Sequence, residues 1–202
     1  MRGLVRVGAA VPSLALGNVK ENMKRHLAMM REAKEKHVSI VTFPELSLTG
    51  YTCGDLFFQR RLLDDVTDAL LALKDEMPEG ILAVVGAPLE IEGALYNCAV
   101  VLHKGEIISA VPKTFLPNNG EFYEKRWFQS GDARRDASVA IPKLKTDVCR
   151  QVIFETEDGV RFGIELCEDL WAPLPPSTML SVEGAEIILN LPVSTELLSK
   201  RE

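Results

Sequence analysis

The sequence predicts a layered α/β domain, and three observations carry that expectation. Segments with helical apolar spacing alternate with short apolar runs. Ile81 to Ala87 is apolar almost throughout, as in a strand covered on both faces, and two strand pairs flank glycine-containing turns. Together they describe a mixed sheet with helices packed on it. At 202 residues, 47% apolar and 26% charged, the chain has the size and composition of one core-forming domain. No internal repeat, low-complexity tract or linker divides it.

Leu4 to Ala10 reads as a first strand; Arg6 and Pro12 break what would otherwise faintly resemble a signal peptide. A helix is predicted from Asn18 to Lys36. Val19, Met23, Leu27, Met30 and Ala33 recur every three or four residues, and Asn18 with Glu21 forms a capping pair. A short strand, Ser39 to Phe43, is stopped by Pro44, and a second helix follows from about Arg60 to Lys74. After the Ile81 strand, Leu95 to Leu102 and Glu106 to Val111 form a hairpin around His103-Lys104-Gly105. Periodicity is absent from Lys113 to about Asp136. Gln151 to Thr156 and Val160 to Leu166 form a second hairpin around Glu157-Asp158-Gly159. A short helix follows Pro176, and Glu186 to Leu191 is the last strand.

Composition excludes several functions. Lys and Arg number 23 against 29 Asp and Glu, a net charge of −6, which argues against binding a nucleic acid. The longest apolar stretch, Ile81 to Leu89, falls short of the roughly 20 residues a membrane span needs. Cys53, Cys98, Cys149 and Cys167 form no CxxC pair, so neither a metal site nor a disulfide scaffold is expected, and the cytoplasm is the expected location.

The chemistry gathers at strand ends. Ile40 to Pro44 runs into Glu45, Ile107 to Pro112 into Lys113, and Phe162 to Leu166 into Cys167. A reactive group just past a buried strand has a rigid support. Taken singly, each residue has a plainer reading, as a solvated charge or a small core filler. Together they supply a nucleophile, a base and a cation for an oxyanion. A Cys-His pair is the alternative, but His26 and His37 lie in or just after the first helix and His103 at a hairpin tip. Glu165, Glu168 and Asp169 surround Cys167 and would raise its pKa; strand alternation puts Glu165 on the same face unless the strand ends or bulges.

Three stretches, Phe43-Pro44-Glu45-Leu46-Ser47-Leu48-Thr49-Gly50-Tyr51, Pro112-Lys113-Thr114-Phe115-Leu116-Pro117 and Glu165-Leu166-Cys167-Glu168-Asp169-Leu170-Trp171, resemble the nitrilase (carbon-nitrogen hydrolase) superfamily in type and order. Thr49 to Phe57, Gly120 to Phe128 and Asn190 to Ser194 are similar to the glutaminase domains of glutamine-dependent NAD(+) synthetases. The resemblance spans the whole chain. It implies an α-β-β-α sandwich in a homo-oligomer, with L-glutamine as substrate. It also implies that Cys167 attacks the amide, Glu45 moves protons, Lys113 holds the oxyanion, and Glu121 positions the amide and Lys113. Tyr51, Phe122, Glu124, Ser194 and Lys200 stand at glutamine-pocket positions, while Asn119 departs from the usual Tyr. ATP, magnesium and deamido-NAD would belong to a synthetase domain absent from this chain, which has no Gly-Gly pair and no Walker A loop. The family domain is expected to continue past Glu202, so residues 1–202 read as a single hydrolase domain lacking its last elements. A stand-alone amidase acting on another small amide, or a non-catalytic assembly fragment, are the alternatives.

Overall fold

The computed structural model describes residues 4–103, 105–133, 138–141, 143–195 and 199. In chain order the elements are β1 (Val7–Ala9), α1 (Val19–Glu35), β2 (Ile40–Thr42), α2 (Arg60–Glu76), β3 (Leu82–Ile91), β4 (Ala94–His103), β5 (Glu106–Pro112), α3 (Glu124–Trp127), β6 (Ser138–Ile141), β7 (Thr146–Cys149), β8 (Phe154–Glu155), β9 (Arg161–Glu165), α4 (Pro176–Val182) and β10 (Ile187–Asn190). Asn18 caps α1 as its position suggests, its side chain accepting from the Glu21 N–H at 3.1 Å.

The described residues form two sheets. The larger has seven strands in the order β1-β2-β3-β4-β5-β7-β6, and the smaller has three, β10-β9-β8. β1, β2 and β3 run parallel, whereas β3, β4 and β5 form an antiparallel meander. Strand alternation then builds two apolar layers. Val41, Ala83, Val85, Cys98 and Val100 share a core with Leu27 and Met30 of α1 and Leu70 and Leu73 of α2. Ile40, Val84, Ala99, Val101 and Val111 meet Phe162, Ile164 and Leu189 of the smaller sheet. α4 covers the outer side of that sheet, where Leu180 would crowd any side chain at Gly163. The result is an α-β-β-α sandwich, which local patterning alone had reduced to one sheet with helices.

Other elements differ from the sequence reading for identifiable reasons. β3 continues to Ile91 and turns through Glu92 and Gly93, both at positive φ (51° and 78°), into β4. That two-residue turn escapes detection because Glu is unusual at such a φ. β6 and β7 are four-residue strands, too short to show a period, and α3 is one turn inside the stretch expected to be irregular.

One close approach sets up the site. After β2 the chain folds back over β3, with the Phe43 N–H donating to Val84 O at 2.9 Å and the Leu48 N–H to Gly86 O at 3.1 Å. Gly86 alternates with Val84 and faces the layer between the sheets. A Cβ there would overlap the Pro44 carbonyl and the Leu46 N–H. Backbone cannot give way as a flexible side chain can, so Gly86→Ala should destabilise the fold by about 2 kcal/mol or more. Urea denaturation measures this, and an unchanged midpoint would show that the turn bearing Glu45 has room to shift.

Candidate active site

Glu45 sits on a turn that α1 supports from below. Leu46, the next residue, has φ 51°, a strained value for a leucine. Asn22 Nδ2 donates to Leu48 O at 3.0 Å and to Ala15 O at 2.9 Å. His26 Nδ1 donates to Asn22 O at 2.7 Å, which leaves Nε2 to accept from the Ser47 hydroxyl at 2.9 Å. Burial pushes His26 down to about 4, so the ring is neutral and serves as a strut.

Lys113 follows β5 and is fully buried, alternating with Val111 into the layer between the sheets. Its Nζ donates to Glu45 Oε1 at 2.5 Å and to Glu124 Oε1 at 2.7 Å. Burial alone would lower the ammonium's pKa; the two carboxylates more than reverse this and hold it above its usual value. Asn97 Nδ2, from the middle of β4, donates to the same Glu45 oxygen at 2.6 Å. Burial pushes Glu45 up to about 7; Lys113 pulls it down and Glu124 pushes it further up. The Tyr51 hydroxyl completes the cluster, donating to Glu124 Oε1 at 2.7 Å.

Cys167 follows β9 in the other sheet. The strand ends at Glu165, and Cys167 opens a 3₁₀ segment with φ 42°, a conformation costing roughly 1–3 kcal/mol for a residue with a side chain. This break takes the thiol off the face that Glu165 shares with Gly163. Glu165 points to the outer layer, where it accepts from the Ser177 N–H of α4 at 3.1 Å and from Asn190 Nδ2 at 3.3 Å. Asp169 accepts from the N–H groups of Thr114, Phe115 and Leu166. The thiol is pushed up to about 11 first by burial, then by the charge of Glu45, with Lys113 opposing; Sγ donates to Val193 O at 3.2 Å. The obstacle to ionisation is thus burial and Glu45, not the three flanking carboxylates.

The structure brings Glu45, Lys113, Glu124 and Tyr51 into one hydrogen-bonded cluster and places Cys167 within the field of Glu45 and Lys113. Phe122 lies edge-on to Tyr51 with ring centroids 6.2 Å apart. The contact with Lys113 expected of Glu121 is made by Glu124 instead; exposed Glu121 accepts from the Thr195 hydroxyl at 2.5 Å. α3 begins at Glu124, so its side chain turns inward while Glu121 stays on the preceding exposed turn. Ser194 is exposed, next to the Val193 carbonyl that meets the thiol, and Lys200 lies outside the described residues. Asn119 is exposed, its carbonyl accepting from the Phe122 N–H at 3.1 Å. The histidines offer Cys167 no base: His26 is committed under the Glu45 turn, and His103 bonds Ile81 O at 3.1 Å. Asn97 and the backbone contacts of Asp169 escaped the sequence reading; a polar residue alternating with buried apolar ones along β4 was the available signal for Asn97.

Fold and site define the class together. An α-β-β-α sandwich gathers a thiol, an ammonium and buried carboxylates at its strand ends, an arrangement suited to acyl transfer through sulfur. The chain belongs to the carbon-nitrogen hydrolase family, whose model matches residues 6–200. It is 36% identical over 203 residues to the glutamine-dependent NAD(+) synthetase of Mycobacterium tuberculosis, covering 99% of this chain and 30% of that protein. The human glutamine-dependent NAD(+) synthetase is 30% identical over 187 residues, 89% of this chain and 26% of that one. The solved glutamine-dependent NAD(+) synthetase of Cytophaga hutchinsonii superposes with a TM-score of 0.83 at 28% identity, covering 98% of this chain and 32% of its own. The chain therefore spans about 30% or less of the length of these curated relatives.

Glu45 links the site to stability. Its pKa in the fold lies above the ordinary carboxylate value, so between roughly pH 4.5 and 7 the folded chain holds a proton that the unfolded chain has lost. Stability from this group therefore falls as pH rises through that window. Glu45→Gln should flatten the decline, as read from urea denaturation at about pH 5, 6 and 7. An identical slope in both proteins would mean that Glu45 ionises there as it does in water.

Proposed function

We propose that this chain is a glutamine amidohydrolase module that releases ammonia through a cysteine thioester. The observation that carries the reading is the buried Glu45–Lys113 pair beside Cys167, in a chain similar over nearly its whole length to part of glutamine-dependent NAD(+) synthetases. Cys167 Sγ attacks the side-chain amide carbon of glutamine as Glu45 takes the thiol proton. The carbonyl π bond opens, and Lys113 with a backbone N–H beside Cys167 holds the oxyanion. On collapse the C–N bond breaks, Glu45 returns the proton to the leaving nitrogen, and ammonia departs. Glu45 then takes a proton from water, whose oxygen attacks the thioester carbon; the C–S bond breaks and the thiolate regains a proton, giving glutamate. Because the thiol holds its proton more tightly than Glu45 does, transfer accompanies attack rather than preceding it.

Glu124 and Tyr51 hold Lys113 in this reading. By likeness, Tyr51, Phe122, Glu124, Ser194 and Lys200 belong to the glutamine pocket and Glu121 positions the amide. Ammonia would pass to a synthetase domain outside the chain, which would bind ATP, magnesium and deamido-NAD. Residues 1–202 contain no glycine-rich phosphate loop for these groups. Trp171, Leu174, Met179 and Val182, in and just before α4, are exposed large apolar residues, which supports a homo-oligomer. Among the described residues no helix is long and apolar enough to cross a membrane, and all four cysteines are free, which fits the reducing cytoplasm.

Two measurements test the reading. Cys167→Ala should abolish glutamate release and the glutamyl adduct seen by mass spectrometry; a retained rate assigns the nucleophile elsewhere. The kcat/KM for glutamine should rise through about pH 7 as Glu45 ionises. A flat profile from pH 6 to 8 (about two units) would remove Glu45 as the base. A clear preference for other ω-amides over glutamine would favour the stand-alone amidase.

A further inference from the structure

Cys167 and Lys113 ride on different sheets. Lys113 follows β5 in the seven-stranded sheet and Cys167 follows β9 in the three-stranded one, and among the described residues no strand ladder joins the two. The apolar layer between them holds the sheets together without directional bonds. We propose that Asp169 is the positioning residue that fixes the nucleophile against the oxyanion-holding lysine, by tying the backbone next to one to the backbone next to the other.

The geometry is specific. Asp169 Oδ1 accepts from the Thr114 N–H at 3.1 Å and the Phe115 N–H at 2.7 Å, immediately after Lys113. Oδ2 accepts from the Leu166 N–H at 3.0 Å, immediately before Cys167. The Asp169 N–H returns a bond to Leu166 O at 2.9 Å, closing the turn that carries the thiol. The carboxylate is 1% exposed, so water does not compete for these bonds. The Lys113 segment is anchored to its own sheet as well, with the Gly131 N–H donating to Lys113 O at 2.8 Å and the Lys113 N–H to Asn97 O at 2.8 Å. The other buried acid beside Cys167, Glu165, bonds only within the smaller sheet and its covering helix in the contacts described above, so it cannot do this task. Burial pushes Asp169 up to about 6 while the N–H donors oppose the rise, so the bonds to Phe115, Leu166 and Thr114 favour the charged acceptor.

The inference rests on the proposed amide hydrolysis, because only a reaction that builds an oxyanion needs Lys113 held at a set place relative to sulfur. In the protein, Asp169→Asn keeps one acceptor oxygen and Asp169→Ala removes both. With Asp169→Asn, kcat for glutamine should fall by about 10- to 100-fold and further with Ala, while KM stays within about threefold. Alkylation of Cys167 by iodoacetamide builds no oxyanion, so its rate should change by less than about threefold. Parallel losses of hydrolysis and alkylation with a collapsed melting temperature, or an unchanged kcat, would overturn the role. Should neither variant fold, hydrogen exchange of the unsubstituted protein decides: the Thr114, Phe115 and Leu166 amides should exchange as one unit, and independent exchange would overturn it. If the unsubstituted protein releases no glutamate from glutamine, the activity proposed above fails, and the exchange measurement still judges the tie.

Discussion

An ammonium group sealed in a protein interior is the constraint on which this structure turns. Lys113 is fully buried and is stable there only because Glu45 and Glu124 both bond its Nζ. Removing one partner from such a pair typically costs about 3–5 kcal/mol, because the remaining charge is stranded. Three local features converge to avoid that penalty. The turn after β2 crosses a strand at the one place where glycine admits it, Lys113 keeps the inward face of Val111 as β5 ends, and α3 begins with Glu124 facing the core. The cluster holds two carboxylates against one ammonium, and the surplus negative charge adds to burial in lifting Glu45 to about 7. The interaction that secures the lysine thus also leaves a carboxylate able to bind and release a proton near neutrality.

The second half of the site is built on a different principle. The thiol sits on a residue forced to positive φ where β9 ends, and that break takes Cys167 off the outer face that Glu165 occupies and turns Asp169 back across the sheets. Had the strand continued regularly, Glu165 and Cys167 would share a face, and a carboxylate would lie against the sulfur. Asp169 holds the backbone just before the strained residue and ties it to the segment after Lys113. Strain at the nucleophile and a buried acid within three residues are parts of one device.

The sequence made the three strand-end residues legible because a polar or reactive residue after an apolar run is a local signal. Residues acting across the fold left no such mark. Asn97 looks like a polar interruption in a buried strand until register places it opposite Glu45. Asp169 read as an electrostatic obstacle to Cys167 because sequence proximity shows its charge but not the N–H groups that absorb it. Glu121 and Glu124 are three apart, and only the point where α3 starts decides which turns inward. The two-sheet architecture was hidden for a related reason. β8 and β10 are two and four residues long, and nothing local says which of the longer strands they join.

The polar atoms left over bear on the choice of substrate. Glu45 Oε2 and Glu124 Oε2 are buried and lack a hydrogen-bond partner among the described residues. Such atoms are costly unless something donates to them. An ionised carboxylate oxygen accepts and does not donate, so under the proposed reading Glu45 Oε2 is matched by an N–H of the substrate and not by a lone pair. A primary amide has that N–H and an ester does not. After attack the same nitrogen must gain a proton to leave, and the carboxylate that accepts its N–H is also the one lifted to about 7 and able to supply that proton. Under the proposed reading, recognition of the amide and departure of ammonia therefore draw on a single property of Glu45: a burial deep enough to leave it short of hydrogen bonds and slow to give up its proton.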